Sequence, residues 1–343
     1  MRPRTLAAIA LAAAFLVACN RTSTPTETGQ GGEGGSLVVY SGREEELVAD
    51  LFEQFRADTG IELDVRYGDS AELAAQILEE GENSPADVFF SQDAGSLGVV
   101  SQTGLFSQLD RPVLDRVDER FRSEDGTWVG TSGRARVAIY NSEELTDADL
   151  PGTIWGFTTA KWKGKIGLPP TNSSFQAFVA AMIEAEGEAR TRRFLEDLKA
   201  NDPQFYEDNA ATTRAVADGE ILVGFVNHYY KYEVEAEEGG PISAENHFFR
   251  AGDPGALINA AGVGILRTAA NPDEARRFVE YLTGDAGQTY FAEETWEYPV
   301  VPGFEPSEDL VPLDRIEGPD IPLSRLGATL RPALRLLGET GYL

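Results

Sequence analysis

The sequence predicts an α/β protein built on a parallel sheet. Short apolar, β-branched runs alternate with stretches of helical periodicity, and glycines punctuate the joins between them. Two strand–helix–strand units follow one another at the start of the body, which requires parallel strands with right-handed crossovers. The body, residues 37–343, is long enough for two lobes with separate cores.

Each element rests on its own pattern. Residues 37–40 form an apolar strand, and Ser41 with Gly42 makes the turn after it. Leu47, Val48, Leu51, Phe52 and Phe55 lie on one face of a helix that Gly60 ends. Residues 61–65 alternate as a second strand, and Leu73, Ile77 and Leu78 mark a second helix closed by Gly81. Residues 87–90 form a third strand. A parallel sheet collects its functional loops at the carboxyl ends of its strands, so segments 41–44 and 91–93 are expected side by side. Residues 136–140 and 164–168 read as strands, the second running into Pro169 and Pro170. Helices follow over about 175–186, with Asn172, Ser173 and Ser174 at the start, and over 189–198. A helix over 212–218 ends at Gly219 and leads into a strand over 221–226. Asn227, His228, Tyr229 and Tyr230 then sit at that strand's carboxyl end. Residues 263–266 return to strand character, and 272–281 reads as a helix capped by Asn271.

Composition removes several function classes. A formal charge of −28 argues against nucleic acid or anionic lipid as a partner. The sequence has no G-x-S-x-G elbow, H-E-x-x-H pair or P-loop, and two histidines and one cysteine leave little for nucleophilic catalysis. A surface-attached hydrolase is therefore the weakest alternative. With Cys19 as the only cysteine, neither an internal disulfide nor a thiolate metal cluster can form.

Arg2 and Arg4 precede an apolar run over 6–18 that is too short to cross a bilayer and fits the core of a secretory signal. It ends in Leu16, Val17, Ala18 and Cys19, which resembles the bacterial lipobox. That resemblance implies a signal peptide over 1–18, lipidation of Cys19, and an extracytoplasmic protein held at the cell membrane only by its lipid. Residues 19–36 carry no large apolar side chain after Cys19 and read as a flexible tether, with a reach of roughly 20–25 Å.

Tyr229 and Tyr230 are the most informative local feature. A phenol normally keeps its proton to a pKa near 10, so only a strong Lewis acid displaces it at neutral pH. Two neighbouring tyrosines at a strand-to-helix junction can aim both oxygens at one hard cation; aromatic packing is the alternative.

The run Asn227-His228-Tyr229-Tyr230-Lys231-Tyr232 resembles the tyrosine motif of the bacterial periplasmic ferric-ion-binding proteins. Other stretches agree in order: Val39-Tyr40-Ser41-Gly42-Arg43, Ser84-Pro85-Ala86-Asp87-Val88-Phe89, Ser132-Gly133-Arg134-Ala135-Arg136-Val137, Trp162-Lys163-Gly164-Lys165-Ile166-Gly167 and Asp253-Pro254-Gly255-Ala256-Leu257. The resemblance covers essentially the whole body. It implies a two-lobed periplasmic-binding-protein fold, of the type II or Venus-flytrap kind, with a hinge of crossing strands. Residues 37–133 with 261–309 would form lobe 1, and 134–260 with 310–343 lobe 2. It also implies the binding subunit of an ABC importer, a monomer that carries Fe3+ as cargo and passes it to a membrane permease served by an ATPase.

By that resemblance Tyr229 and Tyr230 match the paired tyrosine ligands. A synergistic anion, phosphate or carbonate, would rest on Asn172, Ser173, Ser174, Asn209 and Asn227, where helix-start N–H groups favour negative charge. Plain N-capping by Asn172 would look the same. Arg134 and Arg136 match arginines that hold carbonate in some relatives; a structural ion pair is the alternative. Two positions depart from the pattern. Glu44 stands where one branch has a histidine ligand, and Gln92, followed by Asp93, stands where it has a glutamate. Glu44 is either a hard carboxylate donor or simply the opening of an acidic helix. The same clamp could instead hold thiamine, a polyamine or an oxyanion, with the tyrosines stacking on an organic cation.

Overall fold

The computed structural model describes residues 35–343. The leader 1–18, Cys19 and nearly all of the 19–36 segment lie outside the described residues.

Strand β1 (Ser36–Ser41) leads through a short loop into α1 (Glu45–Thr59), which buries Leu47, Val48, Leu51, Phe52 and Phe55. Gly60 closes α1 in the left-handed region at φ 70°, where a side chain would be strained. After β2 (Glu62–Tyr67), Asp69 caps α2 (Ser70–Glu80) by accepting the N–H groups of Ala71 and Glu72. Then β3 (Val88–Ser91) joins the sheet, α3 (Ala94–Gln102) follows at once, and α4 (Arg111–Leu114) is a single turn. The long strand β4 (Trp128–Asn141) is buried throughout. It is followed by β5 (Ile166–Leu168), α5 (Ser173–Glu186), α6 (Glu188–Ala200), β6 (Gln204–Phe205), α7 (Asn209–Ala217), β7 (Val223–Asn227) and α8 (Tyr230–Glu238). The chain continues through β8 (Ala244–His247), β9 (Ile258–Ile265), α9 (Pro272–Leu282), α10 (Asp285–Glu293), β10 (Tyr298–Pro299) and α11 (Leu326–Glu339).

The strand path runs β2-β1-β3-β9-β4-β7-β5-β6, with β8 and β10 also on β4. The β2–β1–β3 part is parallel, as the crossovers require. β4 joins two groups of strands: Trp128 to Ala135 pair with β9, and Arg136 to Tyr140 with β7. The partner changes between Ala135 and Arg136, close to the expected start of the second lobe at 134. Each group has its own aromatic packing. Phe52, Phe55, Phe90 and Phe278 interlock in the first, and Phe157, Trp162, Phe225 and Phe249 in the second.

Helix α11 packs on both α3 and α5, bridging the two groups. Its approach to α3 needs two glycines, because a Cβ on Gly98 would come within 2.9 Å of the Gly327 backbone. Two expected elements are corrected in detail. β4 and β9 begin well before residues 136 and 263. Asn271 occupies the N-cap position of α9, but its side chain makes no capping bond; its backbone N–H instead donates to Asp87 at 3.0 Å.

Candidate metal centre

Tyr229 and Tyr230 stand where β7 gives way to α8: His228 and Tyr229 form the turn, and Tyr230 opens the helix. His228 fixes that turn. Its Nδ1 accepts the Ala135 N–H at 3.2 Å and its Nε2 donates to the Trp296 carbonyl at 2.9 Å. The ring also stacks on Tyr298, with centroids 4.6 Å apart. Burial pushes its pKa down to about 4, so it is a neutral structural imidazole with both nitrogens in use.

The two tyrosines are 0 % and 1 % exposed, with ring centroids 4.4 Å apart. Across from them, on the loop after β3, the Gln92 side-chain amide donates to the Tyr229 hydroxyl at 2.8 Å. The Gln92 backbone N–H in turn donates to Ser70, whose hydroxyl donates to the Gly42 carbonyl. The loops at 41–44 and 91–93 are therefore neighbours, as the parallel sheet implies. Burial pushes the Tyr229 phenol up to about 12, against the pull of Arg134 and Arg43. Tyr230 is pushed well above the ordinary phenol range by burial, then by Tyr229, Glu44 and Glu233.

Glu44 sits at the N-cap of α1 but makes no capping bond, which leaves its carboxylate free. It is open to solvent, yet protein surrounds it on several sides. That surrounding mass raises its pKa, and Asp208 raises it further. Asp93 behaves differently. Both of its oxygens are taken by Ser96, one by the N–H at 2.8 Å and one by the hydroxyl at 3.0 Å, as the cap of α3. Burial lifts its pKa to about 6.

The residues matched to the anion form one network around the start of α5. Asn172 Oδ1 accepts from the Ser174 N–H at 3.0 Å, the Ser174 hydroxyl at 2.7 Å and Asn209 Nδ2 at 3.1 Å. Arg136 Nη1 donates to Ser174 Oγ at 3.3 Å, its Nη2 donates to the Phe225 carbonyl at 2.6 Å, and its guanidinium lies over Phe175 and Phe178. Asn227 is its cross-strand partner on β7. Capping at Asn172 and a possible anion cradle are thus the same atoms. Ser173 is buried at the same helix start and lies against the Asp69 carboxylate.

The arginines separate into two kinds. Arg43 makes a bidentate pair with Glu297 at 2.8 and 2.6 Å, and Arg134 reaches the same carboxylate at 3.4 Å. Burial would lower the Arg43 pKa, but Glu297 raises it above the ordinary guanidinium value. Arg136 has no carboxylate partner among the described residues, and burial pulls its pKa down to about 9. Arg136 Nε, Arg134 Nε and Nη2, Asn227 Nδ2, Asn209 Oδ1 and Gln92 Oε1 are buried without hydrogen-bond partners. Free donors on buried cationic side chains suit an oxyanion.

Sequence reasoning missed Glu297 and Glu233. Glu297 gave no local signal, because its partner Arg43 is 254 residues away. Among the described residues no group of three or more His, Cys, Asp or Glu side chains is placed to hold a metal. A cavity of about 1110 Å³ lies between the 108–126 and 313–324 segments, and none of these residues lines it.

Comparison with known proteins identifies the family. Residues 83–313 match the family model described as bacterial extracellular solute-binding protein. The Fe(3+)-binding periplasmic protein of Serratia marcescens is 32% identical over 309 residues, covering 90% of each chain. Iron-bound HitA from Pseudomonas aeruginosa superposes with a TM-score of 0.85 at 31% identity, covering 90% of this chain and 99% of that one. FutA from Trichodesmium, in complex with iron and citrate, superposes with a TM-score of 0.75 at 29% identity, over 90% and 100%. The chain belongs to the bacterial extracellular solute-binding proteins, and within them to the group of the two-lobed periplasmic ferric-ion-binding proteins.

Proposed function

We propose that this chain captures ferric iron between two lobes and delivers it to an ABC importer. Tyr229 and Tyr230 supply phenolate oxygens. Glu44 is available from the facing loop, with Gln92 beside it, and Asp93 holds that loop by capping α3. A small oxyanion, phosphate or carbonate, completes the shell against Arg136, Arg134, Asn172, Ser173, Ser174, Asn209 and Asn227. The lobes comprise residues 37–133 with 261–309 and residues 134–260 with 310–343. The protein works as a monomer without catalysis, tethered through a lipid on Cys19, and its permease and ATPase are separate chains.

The carrying observation is the pair of adjacent, fully buried phenols facing Gln92 across the gap. Burial keeps both protonated in the empty protein, so the site discriminates by Lewis acidity. A trivalent ion repays the loss of two phenolic protons far better than a divalent one. Arg43, Arg134 and Arg136 are the nearby positive charges that temper the anionic shell.

Metal-free protein titrated with a ferric salt is expected to develop visible phenolate-to-iron charge-transfer absorption. The Tyr229→Phe/Tyr230→Phe protein is expected to lose both the colour and tight binding. Undiminished colour and affinity in that double variant would reject the assignment.

A further inference from the structure

Helix α8 places a third oxygen donor beside the tyrosine pair. Glu233 lies four residues after Tyr229 and three after Tyr230, which puts it on the same helical face, with Cβ separations of about 5–6 Å. Its backbone N–H donates to the Tyr229 carbonyl at 3.0 Å, so the turn that aligns these three side chains is formed.

Glu237 pairs with Arg214, and Lys231 serves Glu235 and Glu245. Glu233 has no ion-pair partner among the described residues, and its Oε2 is buried without a hydrogen bond. A carboxylate oxygen hidden from water and bonded to nothing is costly unless something positive meets it. The charges that Glu233 feels identify the place. They are Glu44 on the facing loop, Glu237 and Tyr230 on its own helix, and the guanidinium groups of Arg214 and Arg43, neither of which bonds to it.

We propose that Glu233 donates a carboxylate oxygen to the same ion as Tyr229 and Tyr230, opposite Glu44. This rests on the ferric reading of the tyrosine pair and extends it. The shell then draws on hard, anionic oxygen alone and dispenses with histidine. Two phenolates and two carboxylates exceed a trivalent charge by one unit, to which the oxyanion adds its own, and Arg136 with the surplus positive charge of the Arg43–Arg134–Glu297 cluster stands against that excess. Carboxylate suits hard, oxygen-preferring cations, so the set favours ferric iron over softer divalent metals that prefer nitrogen and sulfur.

The test compares wild type with Glu233→Gln, using ferric iron alone as probe, competition against a chelator for affinity, and the visible band for the shell. Glu233→Gln keeps the side chain's size and removes its charge. It is expected to lose about 10- to 100-fold in affinity and to shift the energy of the charge-transfer band while keeping its phenolate character. A purely structural role for Glu233 would leave the band in place. Equal affinity with an unshifted band in Glu233→Gln would overturn the proposal and leave the tyrosine reading standing. Absence of any phenolate band in wild type would overturn both. Should Glu233→Gln fold poorly, an iron-loaded crystal structure of the wild type decides: Glu233 in the coordination sphere supports the proposal, and Glu233 turned away from the metal overturns it.

Discussion

The side-chain amide of Gln92 donates a 2.8 Å hydrogen bond to the hydroxyl of Tyr229, joining residues 137 apart in the chain. It ties the loop after β3 to the loop after β7. Replacing Gln92 by Leu removes this bond without touching the phenols. The expected outcome is about tenfold weaker ferric binding, or about 1.4 kcal/mol, with the visible band retained, as read by chelator competition.

Loading the site should release protons. Burial raises Tyr229 to about 12 and holds Tyr230 well above the ordinary phenol range, so each phenol is protonated at neutral pH and must give up one proton to bind. Affinity therefore falls as pH falls, by about 100-fold per unit for two phenols. A pH-stat titration at neutral pH, corrected for the iron source, should count close to three protons per iron in wild type, two from the phenols and most of one from Glu233, whose pKa burial raises to about 8, and one fewer in Tyr229→Phe.

Arg136 should make the empty protein sensitive to oxyanions. It is a buried guanidinium with a free Nε and no carboxylate partner among the described residues, and burial lowers its pKa to about 9. Phosphate or carbonate should raise the melting temperature of metal-free wild type. The Arg136→Gln protein should show little or none of that rise.

Glu297 should be a stability residue. It is the shared counter-charge of Arg43 and Arg134, and all three side chains are buried. Glu297→Gln leaves two guanidinium groups facing each other without an anion. A loss of about 3–5 kcal/mol is expected in denaturant unfolding. Replacing Arg43 by Met in the same protein should recover part of it.

Much of the fold was legible because it follows local pattern. The stripe from Leu47 to Phe55 and the left-handed Gly60 mark α1 without reference to anything distant. The first half of β4 was not legible. Gly130, Ser132 and Gly133 carry little β preference around Thr131, and pairing with β9 and β10 makes the segment a strand. α3 escaped notice for a related reason: it is buried on nearly every side, so it has no polar face to define a period. At the site, Tyr229 and Tyr230 announced themselves by adjacency. Glu233 stands among Glu235, Glu237 and Glu238 with nothing local to distinguish it, and only its unpartnered, buried Oε2 sets it apart.

The bare contact between Gly98 and Gly327 has a mechanical consequence. Backbones that touch without intervening side chains resist sliding, since any shear must first lift them apart. The other face of α11 meets α5 through side chains, which can change rotamer. Helix α11 should therefore keep its place on α3 while its contact with α5 adjusts. Because α5 starts at Ser173 under the Asn172 cap, that adjustment would be felt in the polar network at its tip.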